Sequence, residues 1–229
     1  MSSALIVAAG RGVRMGADRP KQYLTIGGLP ILTRTLRAFD NCERIQQIVV
    51  TVPEQEMDRC RREIIAGAGL RREPLLVPGG PRRQDSVFNG LQRMPEEDDV
   101  VLIHDGVRPL VTGELIERCI DAARRWGACI PVVPVTDTLI RVDPQNVIIE
   151  TVARESLCMA QTPQAFRLSL IRKAHQWARQ NAKVATDDAS LVEQMGGRVH
   201  TIPGDVTNIK ITTAEDLQRA EAYLHRQWV

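Results

Sequence analysis

Six apolar runs punctuate the chain, at residues 5–8, 48–52, 75–77, 100–103, 128–135 and 199–202. They are apolar at most positions instead of alternating regularly with polar residues, the pattern of strands covered on both faces. Between them lie stretches with helical spacing. Pro30 opens one, with Leu32, Leu36 and Phe39 at i, i+4 and i+7. Met57, Cys60 and Ile64 mark a second, ended by Gly67 and Gly69, and Val87 and Leu91 mark a third. Thr112 caps a fourth, which carries Leu115, Ile116, Cys119, Ile120 and Ala123 up to Gly127. Thr186 caps a fifth whose first residues, Asp187 and Asp188, suit the positive end of a helix dipole. Thr213-x-x-Asp216 caps the last, with Leu217, Ala220 and Leu224 inside it. Strands alternating with helices predict an α/β fold with a Rossmann-like, mostly parallel, doubly wound sheet.

One segment breaks this rhythm. Two β-prone runs, 138–142 and 147–152, flank the turn signal Asp143-Pro144-Gln145-Asn146. They predict a β-hairpin inserted into the α/β domain. A lone two-stranded hairpin is only marginally stable, so it needs something to pack on, and a second copy of the chain is the simplest candidate. There is no internal repeat and no linker. The expected organisation is one domain over 1–229, with 137–153 as a dimerisation arm.

Composition narrows the picture. With 229 residues, 43% of them hydrophobic, the chain can build one α/β core. No apolar run approaches the roughly 20 residues that cross a bilayer. The opening MSSALIVAAG lacks the basic segment of a secretory signal. A soluble cytoplasmic protein is expected. A net charge of +2, with only three Phe and two Tyr, argues against a nucleic-acid surface. The five cysteines are scattered, with no C-x-x-C pair, as reduced structural thiols would be. Only Lys21, Lys173, Lys183 and Lys210 are lysine, against 26 arginines. A lysine inside a motif is therefore conspicuous, as a compact point charge for phosphate.

The candidate chemistry lies just past the apolar runs. Ala8-Ala9-Gly10-Arg11-Gly12 leaves backbone amides uncovered. Met15 stands where the dinucleotide fingerprint needs a third glycine, and there is no G-K-[ST] ending. A tight turn needing two glycines would account for the loop, but not for Arg14 and Lys21 beside it. Those cations favour a polyphosphate cradle. Gly79-Gly80-Pro81-Arg82-Arg83-Gln84-Asp85-Ser86 also joins a strand to a helix. It reads either as a loop with capping residues or as bare backbone for a base edge, with Ser86 beside it. Asp105, at the end of a buried strand, is placed to hold Mg²⁺ and Arg108 to hold a phosphate; a surface Asp105–Arg108 pair is the alternative. His104 takes no role. Asp137-Thr138, Arg154, Gln161-Thr162-Pro163-Gln164 and Asn208-Ile209-Lys210 together supply hydroxyls and cations suited to a small polyol phosphate.

Ala8-Ala9-Gly10-x-Gly12-x-Arg14-Met15 with Pro20-Lys21-Gln22 is similar to the signature of the glycosyltransferase-A-like nucleotidyltransferases. Further along, Gly79-Gly80 with Ser86-Val87, His104-Asp105 with Arg108-Pro109 and Asp137-Thr138 narrow the likeness. So do Thr151-Val152 with Arg154, Gln161-Thr162-Pro163-Gln164 with Phe166, Thr186-Asp187 and Asn208-Ile209-Lys210. Together, and in order, they resemble the 2-C-methyl-D-erythritol 4-phosphate cytidylyltransferases. The resemblance implies cytidylyl transfer from CTP to methylerythritol phosphate, with release of pyrophosphate, in non-mevalonate isoprenoid synthesis. It implies that Ala8, Ala9, Gly10, Gly12, Gly80 and Ser86 bind CTP, and that Arg14 and Lys21 stabilise the transition state. Asp105, Arg108, Thr138, Arg154, Thr162 and Lys210 would bind the alditol phosphate, Arg154 and Lys210 with catalytic effect, and Asp105 would also face Mg²⁺. The arm would cross to a dimer mate, so that Thr138 and Arg154 complete the other subunit's site. Pro81, Gly106-Val107, Cys158 and Thr207 depart from the family pattern; with Thr207 where an Asp is common, Asp205 is the candidate for a second metal carboxylate. A cytidylyltransferase for another alditol phosphate, such as ribitol 5-phosphate, is the nearest rival. A non-catalytic nucleotide-binding protein should have lost Arg14, Lys21 or Asp105, and all three are present.

Overall fold

The structure is a computed structural model that describes residues 1–10, 20–97 and 99–226. The amino-terminal half carries β1 (Ser2–Val7), a small hairpin of β2 (Thr25–Ile26) and β3 (Leu29–Pro30), α1 (Ile31–Asp40), β4 (Ile45–Val52), α2 (Met57–Cys60), β5 (Leu75–Pro78), α3 (Arg83–Leu91) and β6 (Val100–Asp105). There follow α4 (Gly113–Trp126), β7 (Ala128–Pro134), the arm strands β8 (Leu139–Val142) and β9 (Ile148–Val152), β10 (Cys158–Ala160) and β11 (Gln164–Arg167). The chain closes with α5 (Leu168–Gln180), α6 (Asp188–Gln194), β12 (His200–Pro203) and α7 (Ala214–Arg226).

The main sheet runs β5-β4-β1-β6-β11-β7-β12, with β10 also on β7. Strands β5, β4, β1 and β6 are mutually parallel, and β12 is parallel to β7. The expected mostly parallel, doubly wound α/β sheet is present. Its reversal was not legible: β11 inserts antiparallel between β6 and β7. β10 and β11 line one edge of β7, bridged by Gln161 N donating to Pro131 O at 2.8 Å, and the Thr162–Pro163 bond between them is cis. Gln164-Ala165-Phe166-Arg167 is too short and too mixed to stand out as a strand; its neighbours supply the burial.

Continuous apolar runs follow from cover on both faces. In β1 and β6, Ala4, Ile6, Val100 and Leu102 enter one core with Leu32, Leu36 and Phe39 of α1 and Ile116 and Ile120 of α4. The intervening Leu5, Val101 and Ile103 enter the other with Val87, Leu91, Phe166 and Ile171. Each such buried side chain stabilises the fold by about 1.5–3 kcal/mol. Helix α3 packs so close to β1 that a Cβ on Gly90 would collide with Leu5. A third, smaller core of Ile26, Ile31, Val107, Leu110, Ile211 and Ala220 docks α7 and the small hairpin on the loop after β6.

Local signals account for most boundaries. Thr112 Oγ1 accepts from Leu115 N at 3.2 Å, and Gly127 ends α4 with φ 87°. Asp216 N donates to Thr213 Oγ1 at 3.3 Å ahead of α7. The cap of α6 is corrected by one residue: Asp187, not Thr186, accepts from Ser190 N at 3.0 Å. Helix α5 has no capping signal, since it follows β11 directly with Arg167 at its cap and no side-chain cap bond; its signal is the helical spacing of Leu168, Ile171, Ala174 and Ala178. The arm forms as expected, slightly shorter. Asp143 Oδ1 accepts from Gln145 N at 2.9 Å and Val147 N at 2.8 Å, and Asn146 takes φ 64°. Its strands pair only with each other among the described residues, leaving Ile140, Val142, Val147, Ile148 and Ile149 exposed. All five cysteines are free, and Cys42, Cys60, Cys119 and Cys129 are buried. No described helix is long and apolar enough to cross a membrane.

Candidate active site

A cavity of about 820 Å³ opens beyond the carboxyl ends of the parallel strands, where open α/β sheets place their ligands. Its first wall is the end of β1. Ala8 N donates to Thr51 O at 2.8 Å, and the buried Gln22 donates Nε2 to Ala8 O at 2.9 Å. That bond brings the turn Lys21–Tyr23 back over β1, with Lys21 Nζ donating to Ile211 O at 3.2 Å. Among the described residues, a Cβ on Gly10 would meet nothing within 4 Å. Gly12 and Arg14 lie outside the described residues.

The second wall is the loop before α3. Gly79 N donates to Val52 O at 2.7 Å, and a Cβ on Gly79 would collide with that of Ala9. Only glycine lets the two loops approach this closely. Ser86 is buried, and its Oγ accepts from Gly80 N at 3.0 Å and donates to Arg82 O at 3.1 Å. Its hydroxyl is thus spent on shaping the loop.

The third wall is Asp105, the last residue of β6. Its Oδ1 lies 3.4 Å from Arg83 Nε, and its Oδ2 lies 3.0 Å from Lys210 Nζ and 3.5 Å from Arg108 Nε. Burial alone would raise its pKa, but Arg83, Lys210 and Arg108 outweigh that and hold the carboxyl well below the usual carboxylate range. One carboxylate among three cations leaves the patch positive, as phosphate binding requires. Lys210 is placed through the third core by Ile211 N donating to Val107 O at 2.9 Å. The 205–210 loop is tied to the 161–162 break in the sheet: Gln161 Nε2 donates to Asp205 O at 2.7 Å, and Asn208 Nδ2 to Thr162 O at 2.8 Å.

Behind this wall the proton positions can be assigned. His104 Nε2 is 3.1 Å from Arg108 O, which can only accept, so Nε2 carries the hydrogen. Nδ1 therefore accepts from Thr162 Oγ1 at 3.0 Å, and that oxygen accepts from Asp105 N at 3.1 Å. Burial pushes the His104 pKa down to about 4, so the ring is neutral. The hydroxyl hydrogen of Thr162 is committed to His104, and Thr162 pins the end of β6.

The fold thus gathers Ala8, Ala9, Gly10, Lys21, Gly80, Ser86, Asp105 and Lys210 around one cavity. Arg108 and Thr162 pack against Asp105 from behind. Thr138 and Arg154 do not line this cavity; they flank the arm, where Arg154 donates to the Thr136 carbonyl. Arg83, Gln22, Glu54 and Gln55 line it too, with no role expected of them. Gln22 was signalled by its place in Pro20-Lys21-Gln22; Arg83 had no signal, because its partners come from distant segments. No three His, Cys, Asp or Glu side chains converge among the described residues. Asp205 Oδ1 accepts from Thr207 N and Oγ1, both at 2.8 Å, and so serves a turn. Asp105 is the carboxylate placed to hold a Mg²⁺; because its oxygens already face Arg83, Lys210 and Arg108, such an ion would take most of its ligands from substrate phosphates and water.

The sequence profile of the IspD family, 2-C-methyl-D-erythritol 4-phosphate cytidylyltransferase, matches residues 2–226. A protein of that name from Syntrophotalea carbinolica is 52% identical over 221 residues, covering 96% of this chain and 94% of its own. One from Geobacter metallireducens is 46% identical, covering 96% of each chain. Among solved structures, the 4-diphosphocytidyl-2C-methyl-D-erythritol synthase of Anaerococcus prevotii superposes with a TM-score of 0.83 at 32% identity, covering 98% of both chains. The Thermus thermophilus 2-C-methyl-D-erythritol 4-phosphate cytidylyltransferase gives 0.79 at 33% identity, covering 98% of this chain and 100% of its own. Site geometry, profile and near full-length relatives lead to one assignment: the chain belongs to the 2-C-methyl-D-erythritol 4-phosphate cytidylyltransferase family.

Proposed function

We propose that this chain transfers the cytidylyl group of CTP to 2-C-methyl-D-erythritol 4-phosphate, giving 4-diphosphocytidyl-2-C-methyl-D-erythritol and pyrophosphate for non-mevalonate isoprenoid synthesis. The supporting observation is the convergence of the Ala8–Gly10 loop with Lys21, Lys210 and Asp105 on one cavity. A phosphate oxygen of the acceptor attacks the α-phosphorus of CTP; the new P–O bond forms as the α–β bridging P–O bond breaks, and pyrophosphate leaves with that oxygen. A phosphate monoester is mostly dianionic at pH 7, with a second pKa of about 6, so no general base or protein nucleophile is needed. Catalysis is positioning plus charge neutralisation.

In this reading Ala8, Ala9, Gly10 and Gly12 hold the triphosphate, and the Gly80–Ser86 loop holds the base. Lys21 and Arg14 stabilise charge on the α-phosphate in the transition state. Asp105, Arg108, Thr138, Arg154, Thr162 and Lys210 frame the acceptor, with Lys210 and Arg154 aligning its phosphate. Thr162 acts through its grip on Asp105 N, given the bond its hydroxyl already makes. Asp105 would hold Mg²⁺, which supplies charge neutralisation between the two substrates' phosphates. The exposed apolar arm supports a homodimer in which each arm carries Thr138 and Arg154 to the other copy's cavity. A cytoplasmic setting, with CTP at hand, suits the reading.

The test is pyrophosphate release with CTP and Mg²⁺ across a panel of polyol phosphates. Turnover with methylerythritol phosphate at the highest kcat/KM is expected. Turnover restricted to ribitol 5-phosphate or another alditol phosphate would overturn the acceptor assignment.

A further inference from the structure

A line of charged and ionisable side chains runs from the cavity into the layer of α3, α5 and α6. Asp105 Oδ1 is 3.4 Å from Arg83 Nε, Arg83 Nη1 is 2.7 Å from Asp188 Oδ2, and Asp188 Oδ1 is 3.0 Å from His175 Nε2. Asp188 and His175 are each 1% exposed and do not line the cavity. Asp188 is held further by Gln164, whose Oε1 accepts from Asp188 N and Ala189 N, both at 3.1 Å. So deep a pair is a poor device for stability, because desolvation offsets most of its attraction. Its placement suggests another purpose. Arg83 is the first residue of α3, directly behind the Gly79–Gly80 loop. Its guanidinium is a rigid planar fork. With one branch fixed by Asp188, the other meets Asp105 Oδ1 from a set direction, while Lys210 and Arg108 take Oδ2. The carboxylate is clamped from both sides.

We propose that Arg83 is a positioning residue: anchored on the Asp188–His175 pair, it fixes the orientation of the Asp105 carboxylate toward the acceptor alditol phosphate. The proposal rests on the reading of Asp105 as an acceptor contact. Arg83 then ties the nucleotide-side loop to the acceptor-side carboxylate, so the two halves of the site keep one spacing. Asp188 and His175 act through Arg83 without touching substrate.

The test is steady-state kinetics and thermal midpoints for Arg83→Lys, Asp188→Asn, Asp105→Asn and the double variant Arg83→Lys/Asp105→Asn. Arg83→Lys keeps the positive charge between the two carboxylates and removes only the fork, so folding is preserved. Each of the first two variants should raise KM for the alditol phosphate by about 10-fold or more, the usual scale for loss of an outer-shell orienting contact. KM for CTP should stay close to that of the parent. The double variant should be no worse for the acceptor than Asp105→Asn alone, the non-additivity of residues acting as one unit. Losses that multiply, or that fall on CTP, mean that Arg83 meets the nucleotide directly and overturn the proposal while leaving the Asp105 reading intact. Lower thermal midpoints with unchanged kinetics overturn it as well, making the line structural only. An unchanged acceptor KM in Asp105→Asn overturns both the proposal and the reading beneath it.

Discussion

The Asp105 wall and the arm at 137–153 are built on opposite terms. Asp105 is 7% exposed and takes every partner from its own chain: Arg83, Arg108, Lys210 and the Thr162 hydroxyl. The arm pairs only with itself among the described residues and leaves Ile148 and Ile149 each 60% exposed. The wall is therefore complete in one copy, with its charge already set before substrate arrives. The arm leaves an apolar face uncovered. The difference separates a wall that one chain preorganises from a hairpin that the described chain does not bury.

The strongest way to probe the self-built side is Lys21→Ala. Removing one cation aimed at developing charge typically costs about 10²–10³ in rate. We expect that loss in kcat with little change in KM for CTP, and the same from Arg14→Ala. A loss confined to KM would show that these residues hold ground-state nucleotide instead.

Next comes acid stability of the same wall. The neutral His104 has its folded pKa near 4, below the ordinary value of 6.5. Between those values the unfolded chain binds a proton that the folded chain refuses, so stability falls as pH drops from 6.5 to 4. The contribution lost is on the order of 3 kcal/mol. Urea midpoints across this range should fall steeply for the parent and about one proton less steeply for His104→Gln. Equal slopes would mean that the buried ring is not what titrates.

The arm should respond in a different observable. Ile148→Asp is expected to leave the fold of each subunit intact by circular dichroism, yet to shift sedimentation from dimer to monomer and to lower kcat/KM with it. A fully active monomer would remove the arm from the site. The smallest signal is a mixing experiment. Lys21→Ala and Arg154→Ala subunits, each nearly inactive alone, should regain about a quarter of parental activity when co-refolded in equal amounts, from the intact site in each mixed dimer. No recovery would place Arg154 in the site of its own chain.

Much of this architecture is legible in the sequence because it is local. Thr112 and Thr213 mark helix starts through bonds spanning three residues, and Asp143 with Asn146 marks the arm's turn in the same way. The Gly79-Gly80 loop and the residues after β1 announce themselves by their glycines at strand ends. Arg83 does not, because its bond to Asp188 joins positions 105 residues apart. Thr162 looked like a substrate hydroxyl, and only the ring of His104 beside it shows where its hydrogen goes.

By itself the sequence determined the α/β class, the family, the positions of the loops at the strand ends and the presence of an arm. Periodicity and turn chemistry act over a few residues, and motif order is read along the chain without knowing how it folds. The tertiary structure decided the antiparallel insertion of β11, the clamp on Asp105 and the separation of Thr138 and Arg154 from the cavity of their own chain. Those depend on which distant segments share a sheet edge or a buried charge, a choice made by the packing of the whole chain.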